Sequence, residues 1–292
     1  MAILSPARGL ATLVRPYGEV TTHPAGHTIP PNHPATIGHL TTFTLPEEVT
    51  GGEADYALGK KMVETWRKDG IFQIRLTGAQ SVALKKAFLV SKGFFRQPQA
   101  VKEKLVDDQS FSGYIASGEE LTDGVPDYSE IFTVTKDLPL SDPRVLQKWP
   151  CHGPCPWPDQ EYATTITSLM SVFGESGETI LKLTALGLNL KNPNALNELT
   201  EDGWHHMRVL RFPRLNGTNG KGKAGRGIGA HTDYGLLVLA GQDDVGGLFV
   251  RPPVEGECNR NWEQSMAGRH ENDEKWMYVP PVESVLTVFP GK

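Results

Sequence analysis

Two residues in the C-terminal third of the chain, His231 and Asp233, stand one position apart between glycines in the stretch GRGIGAHTDYGLLVLAG. In an extended segment residues i and i+2 point to the same side, so an imidazole nitrogen and a carboxylate oxygen can converge on one point. That is two thirds of the 2-His-1-carboxylate arrangement, which holds a non-haem Fe(II) and leaves coordination positions open for small molecules. An H-x-D frame also describes a satisfied polar pair at a strand end, so the surrounding sequence has to decide between the two.

The elements that must position this pair can be read from periodicity. Leu58, Met62 and Trp66 recur at helical spacing ahead of Asp69-Gly70, which predicts an amphipathic helix closed by glycine. Residues 71–76, IFQIRL, alternate at Phe72, Ile74 and Leu76 as a half-buried strand does. Leu84 and Phe88 mark a second helix that stops before Pro98, and Asp159 is placed to cap a long helix running through Ile166, Met170 and Phe173 to about Leu186. After about residue 204 the texture changes to short β-type runs, HHMRVLRF, GIGAHTD, LLVLAGQ, GLFVRP, WMYVPP and SVLTVFP, separated by turns and one long loop around NGTNGKGKAGRG. Asp243 and Asp244 fall in a tight turn between two of them. An α-rich front half, residues 41–203, followed by these strands, residues 204–292, predicts an α+β domain ending in a β-sandwich or jelly roll.

Composition narrows the function. The chain has 292 residues, 22% of them charged, and a formal net charge of −5, and its only basic cluster is the short Lys221, Lys223, Arg226 loop. No nucleic-acid footprint is present. No apolar run approaches the roughly 20 residues of a membrane span. Cys151, Cys155 and Cys258 form no even disulfide framework, which favours a reducing compartment such as the cytoplasm. WPCHGPCPWP has C-x3-C spacing without a second pair and reads as a rigid loop. Residues 1–40, with four histidines, several prolines and no periodic apolar signal, read as a disordered or non-homologous extension; Arg8 and Arg15 ahead of Glu19 also suit a weak targeting peptide.

Longer stretches carry a resemblance. GAHTDYGLLVLAGQDDVGGLFVRPP followed by WMYVPPVESVLTVFPG resembles the core of the Fe(II)- and 2-oxoglutarate-dependent dioxygenases of the isopenicillin-N-synthase-like group, whose core is a double-stranded β-helix. With SGYIASGEELTDGVPDYSEIFTV, WPCHGPCPWP and DGWHHMRVLRFP added, the likeness covers about residues 42–291 and points to the ethylene-forming branch of that family. The resemblance implies Fe(II) as cofactor, with His231 and Asp233 as ligands, and 2-oxoglutarate, O2 and L-arginine as the molecules bound by a monomer. It implies that Arg208 binds small acids, that Glu120 pairs with the guanidinium of L-arginine with Thr122 nearby, and that Tyr234, Phe212, Leu210, Val238, Ala240 and Leu248 line the pocket. Charge chemistry agrees, because a guanidinium calls for a carboxylate and a 2-oxo acid for a cation. Ordinary packing also accounts for the apolar residues, while Glu120 and Arg208 could be surface charges. His205 and His206, being adjacent, face opposite ways on a strand and read as residues that support the ligands from behind or pack, rather than as ligands.

The reaction implied is oxidative breakdown of 2-oxoglutarate, to ethylene and carbon dioxide in one branch and to succinate with L-arginine hydroxylation in the other. No side chain is asked to be a nucleophile or an acid/base, since the metal carries such chemistry. The family's second metal histidine and its 2-oxoglutarate-clamping arginine lie beyond the FPG turn, and the sequence stops at FPGK. His270, the one histidine after Asp233, is not placed on iron by the resemblance. The expectation is therefore an incomplete chain with weak or no turnover. A related hydroxylase of another small molecule and a non-catalytic remnant that binds a small acid remain as alternatives.

Overall fold

A computed structural model describes residues 2–4, 12–14, 20–22, 36–37, 40–203, 205–213, 227–252, 254–256, 268, 270–271 and 273–291. The basic loop with Lys221, Lys223 and Arg226, together with Cys258, lies outside the described residues. Four short strands occur early, β1 (Ala2–Leu4), β2 (Thr12–Val14), β3 (Val20–Thr22) and β4 (Thr36–Ile37). β5 (Thr42–Thr44) then leads into helix α1 (Glu53–Asp69), whose last turn closes at Gly70 with φ of 75° and an amide bonded to the Trp66 carbonyl. A left-handed residue at this position favours glycine. β6 (Phe72–Arg75) is more deeply covered than a half-buried strand, since Phe72, Gln73 and Ile74 are all buried and only Arg75 is exposed.

Helix α2 (Gly78–Phe95) opens on a capping box between Thr77 and Gln80. There follow α3 (Gln99–Lys102), β7 (Val106–Asp107), β8 (Ser112–Ile115), the hairpin β9 (Leu121–Thr122) and β10 (Val125–Pro126), and β11 (Glu130–Val134). After the short α4 (Pro143–Leu146), helix α5 (Gln160–Gly187) starts where the Asp159 carboxylate accepts the Tyr162 amide at 2.8 Å. The short α6 (Ala195–Leu199) leads to β12 (Met207–Arg211), β13 (Leu237–Gln242), β14 (Leu248–Val250), β15 (Met277–Val279) and β16 (Val285–Pro290).

One nine-stranded sheet organises these elements in the order β5-β6-β16-β13-β1-β12-β11-β8-β7. Residues 41–203 supply five of its strands, β5, β6, β7, β8 and β11, so the front half is not simply a helical layer. Two expectations need correction here. GIGAHTD is not a strand: His231 and Asp233 sit in a connecting segment ahead of β13. Residues 1–40 are not wholly unpacked either, because Ala2–Leu4 pairs in parallel with β12 on one side and β13 on the other. Those two strands run parallel with a gap between them, and an extended apolar tripeptide satisfies the backbone groups of both.

The main core lies between one face of this sheet and helices α1, α2 and α5, with Met62, Phe72, Phe94, Phe132, Tyr162, Ile166 and Leu286 among its buried side chains. The opposite face of β11 and β12 carries a smaller cluster around Ile131 and Leu210, with Ile115, Phe212 and Ile228 against it. A second sheet, β14-β15-β4, is joined to β13 by a hydrogen bond from Gln242 Nε2 to the Val279 carbonyl at 3.4 Å.

Helices α1 and α5 cross where two glycines meet. A Cβ on Gly59 would fall 2.1 Å from the Leu183 carbonyl oxygen, and one on Gly187 would fall 2.3 Å from that of Gly59. Helix propensity alone makes Gly59→Ala favourable by about 1 kcal/mol, whereas forcing the two backbones apart costs about 1–3 kcal/mol or more. Gly59→Ala is expected to lower the urea midpoint with an unchanged m-value; a midpoint above that of the wild type would show that the crossing tolerates the methyl group.

Candidate metal and substrate site

Strand alternation sorts the residues of β12. Met207 and Val209 point into the main core, and on the same side Arg211 donates to Glu130 at 2.8 Å. Glu130 is buried with Lys102, whose ammonium lies 2.5 Å away, and it also accepts from the Tyr114 hydroxyl at 3.0 Å. Arg208 and Leu210 therefore face the other side, toward the smaller apolar cluster. There the Arg208 guanidinium donates to the Glu120 carboxylate, and each side chain is about a quarter exposed. Glu120 sits in the bend just before β9. The two charges that the sequence assigns to two ligands are thus each other's partner.

The H-x-D pair lies in the segment between Gly227 and β13. His231 Nε2 stands 3.1 Å from Asp233 Oδ1, and His231 Nδ1 is 2.8 Å from the Gly229 carbonyl oxygen. A carbonyl can only accept, so Nδ1 donates its proton to Gly229; Nε2 donates to Asp233 while the imidazole is protonated, and once it loses that proton it is the atom that can bind a cation. The hydrogen bond with Asp233 holds the imidazole above its ordinary range, against burial and, to a smaller extent, the nearby Arg208 charge, which push it down. With metal–ligand distances of about 2.1 Å, adjacent donors of an octahedral ion lie about 3 Å apart. His231 Nε2 and Asp233 Oδ1 therefore fit one edge of an Fe(II) coordination sphere. Among the described residues no third His, Cys, Asp or Glu joins them in a group able to hold a metal. His270 is engaged elsewhere: its carbonyl accepts from Trp276 Nε1 at 2.7 Å and its Nδ1 is 3.9 Å from Asp273.

Because the segment is outside the ladders, its backbone groups are satisfied by neighbours. The Gly229 amide donates to Asp127 Oδ1 at 2.9 Å, the Ala230 carbonyl accepts from Gly268, and the Gly227 carbonyl accepts from Ser129. The other oxygen of Asp127 accepts from Thr122 Oγ1 at 2.6 Å. Thr122 belongs to the β9-β10 hairpin, whose turn residues Asp123 and Gly124 have φ of 54° and 71°, as an Asp-Gly turn of mirror-image type requires. Thr122 thus contacts Asp127, which in turn holds the His231 segment.

The apolar positions divide. Leu210 is completely buried beside Ile131, and Phe212 stacks edge-to-face on Tyr128 with ring centres 6.3 Å apart. Val238 and Ala240 share the β13 face opposite to that of Leu239, which packs in the main core; Ala240 is fully buried, and Leu248 lies on β14, half-buried. Tyr234 is 93% exposed, which corrects its assignment to a pocket wall: it follows Asp233 on a segment that projects into solvent. His205 and His206 are both exposed ahead of β12. Asp243 is buried and accepts the Val245 amide at 3.1 Å, forming the expected turn. Asp127 is absent from the sequence-derived site, which reaches the hairpin only through Thr122. The D-G turn signal could have revealed the hairpin, but nothing local marks Asp127.

Comparison with known proteins gives the context. Residues 43–160 match the family described as non-haem dioxygenase in morphine synthesis, N-terminal. A 2-oxoglutarate-dependent ethylene/succinate-forming enzyme of Ralstonia nicotianae is 52% identical over 255 residues, covering 86% of this chain and 73% of that protein. A homoarginine-6-hydroxylase of Glycine max is 30% identical, covering 68% of this chain and 66% of its own length. Among solved structures, a full-length Neurospora crassa protein crystallised in complex with alpha-KG superposes with a TM-score of 0.64 at 19% identity, over 87% of this chain and 73% of that one. A putative 2OG-Fe(II) oxygenase family protein of Caulobacter crescentus gives 0.63 at 18%, over 86% and 74%. The extent of the match to the Ralstonia protein, together with the shared fold and a His-Asp pair spaced for a divalent ion, places this chain in the Fe(II)- and 2-oxoglutarate-dependent dioxygenase family.

Proposed function

We propose that this protein converts 2-oxoglutarate to ethylene and, in a parallel branch, to succinate with hydroxylation of L-arginine, acting as a monomer. The observation that carries the reading is Glu120, whose carboxylate already holds a guanidinium, that of Arg208, on the sheet face beside the His231–Asp233 pair. The 52% identity to a protein named for ethylene and succinate formation supports the same assignment. In this reading residues 204–292 contribute part of a double-stranded β-helix, and residues 41–203 add helices and flanking strands to it. Bound Fe(II) would supply the oxidative chemistry with O2 and 2-oxoglutarate, held by His231 Nε2 and Asp233 Oδ1.

The chain's own groups do the orienting. Binding of L-arginine places its guanidinium on Glu120 and so releases Arg208, which is then free to meet a ligand carboxylate. The exchange leaves no charge unpaired, which matters because an uncompensated charge in a partly closed site costs several kcal/mol. Leu210, Phe212, Val238, Ala240 and Leu248 supply the apolar wall on that face. The buried hydroxyl of Thr133 lies directly across the ladder from Arg208 and has no hydrogen-bond partner, as suits a face that receives a polar ligand. A hydroxylase of another basic amino acid is the second reading, favoured by the identity to the homoarginine-6-hydroxylase.

Headspace ethylene measured with Fe(II), 2-oxoglutarate and L-arginine separates the two. Ethylene formation should depend on L-arginine, and Glu120→Gln should raise the L-arginine requirement roughly 10- to 100-fold through loss of a charged hydrogen bond worth about 1.5–3 kcal/mol. The dependence on L-arginine, rather than the rate, is the diagnostic readout. Homoarginine hydroxylation without ethylene would overturn the first reading in favour of the second.

Anaerobic addition of Fe(II) and 2-oxoglutarate tests the metal assignment independently of turnover. A visible charge-transfer band is expected that Asp233→Ala removes. A band unaffected by that substitution would move the metal to other residues.

A further inference from the structure

We infer that Asp127 is the positioning residue of the metal site: its carboxylate ties the substrate hairpin to the segment that presents His231 and Asp233. The inference rests on the reading that this pair grips the metal, and it concerns a residue that touches neither metal nor substrate. Asp127 is 1% exposed, and its two oxygens serve two different loops. Oδ1 accepts the Gly229 amide at 2.9 Å, and Oδ2 accepts the Thr122 hydroxyl at 2.6 Å. Its own backbone is fixed as well, the amide donating to the Glu120 carbonyl at 2.9 Å and the carbonyl accepting from Gly118 at 2.7 Å.

The relay from Asp127 to the imidazole is short. Gly229 has its amide on Asp127 and its carbonyl on His231 Nδ1, at 2.8 Å. Fixing the Gly229 peptide plane on one side therefore aims the carbonyl that selects the His231 tautomer and orients the ring on the other. A glycine has the widest backbone freedom of any residue, so this position would otherwise be among the loosest in the segment. The opposite end of the hairpin is braced by a separate contact: a Cβ on Gly268 would strike Asp123, and the Gly268 amide donates to the Ala230 carbonyl at 2.7 Å. The hairpin that follows Glu120 and the segment of His231 are thus joined at two points, and among the described residues it is Asp127 that reaches the residue whose carbonyl holds the imidazole.

The probe is Mn(II), titrated against the full chain and followed by the loss of the free-ion electron paramagnetic resonance signal. Removing an outer partner of a metal-ligating histidine typically weakens metal binding 10- to 100-fold. Asp127→Ala is expected to weaken Mn(II) binding at least 10-fold at temperatures far below its unfolding transition. Asp127→Asn retains an acceptor for Gly229 and an amide that can donate to the Thr122 hydroxyl, and should bind within about threefold of wild type. Equal affinity in wild type and Asp127→Ala overturns the proposal, as does an Asn variant as weak as the Ala variant, which would make charge rather than hydrogen bonding the cause.

His231→Ala serves as the control for the underlying reading. If it binds Mn(II) like wild type, the metal assignment fails, and amide hydrogen exchange then decides the positioning role by itself. In the wild-type protein the Gly229 amide should be protected like the amides of β13, and in Asp127→Asn it should remain so. Exchange of Gly229 at the rate of an exposed loop amide in the wild type overturns the proposal without any variant or metal.

Discussion

The Asp127 carboxylate and the Gly229 amide form the contact on which the arrangement of the site depends. A segment that makes no ladder must still satisfy its backbone polar groups, since an unpaired buried amide costs about 1–3 kcal/mol. Between Gly227 and Ala230 these groups find Ser129, Asp127 and Gly268, three positions far from the segment or from one another in the chain. The 3.1 Å separation of His231 Nε2 and Asp233 Oδ1 is therefore a tertiary property. A strand would have delivered two side chains to one side by its pleat alone; here the same result is reached by tying a short segment outside the ladders down at several atoms. Tyr234, one residue further on, lies outside those ties and is solvent-exposed.

A second constraint is the two-sidedness of β12. Arg208 and Arg211 are three positions apart, and the odd spacing sends them to opposite faces of one strand. Arg211 is consumed by the buried cluster of Glu130, Lys102 and Tyr114, where an unpaired carboxylate could not be tolerated. Burial, with the negative charge of Glu130 beside the phenol added to it, pushes the Tyr114 hydroxyl well above its ordinary range and keeps it a donor. The helices α1, α2 and α5 occupy that face and make it the stable side of the sheet. The other face carries the smaller apolar cluster, and Arg208 is the basic residue that β12 presents there.

Local signals make much of this legible in the sequence. The Gly70 closure of α1, the Asp159 cap of α5 and the strands from Met207 to Pro290 follow from spacing and turn residues that act within a few positions. The strands β8 and β11 do not emerge from periodicity, because residues Glu130–Val134 are buried on both faces and show no alternation to detect. The H-x-D segment reads as a strand because an extended pair and a strand pair look identical in sequence; the difference lies in whether a neighbour chain completes the ladder. Asp127 is invisible for a related reason. Its type is common in turns, and its partners Thr122 and Gly229 are brought to it only by the fold.

The pairing of Glu120 with Arg208 connects these points. Each is expected to meet a ligand, and a site built to hold both a guanidinium and a carboxylate is necessarily self-complementary before they bind. Such a site can be preformed without carrying isolated charges, but a ligand bearing only one of the two groups leaves one protein charge without its partner. A 2-oxo acid alone would strand Glu120, and a guanidinium alone would strand Arg208. Together they restore both pairs, so each ligand lowers the cost of binding the other, and by linkage the effect is the same in either order. On the proposed reading, dependence of one substrate on the other thus needs no conformational relay: it follows from two opposite charges on one face of the sheet, beside a metal segment that Asp127 holds in register with the hairpin.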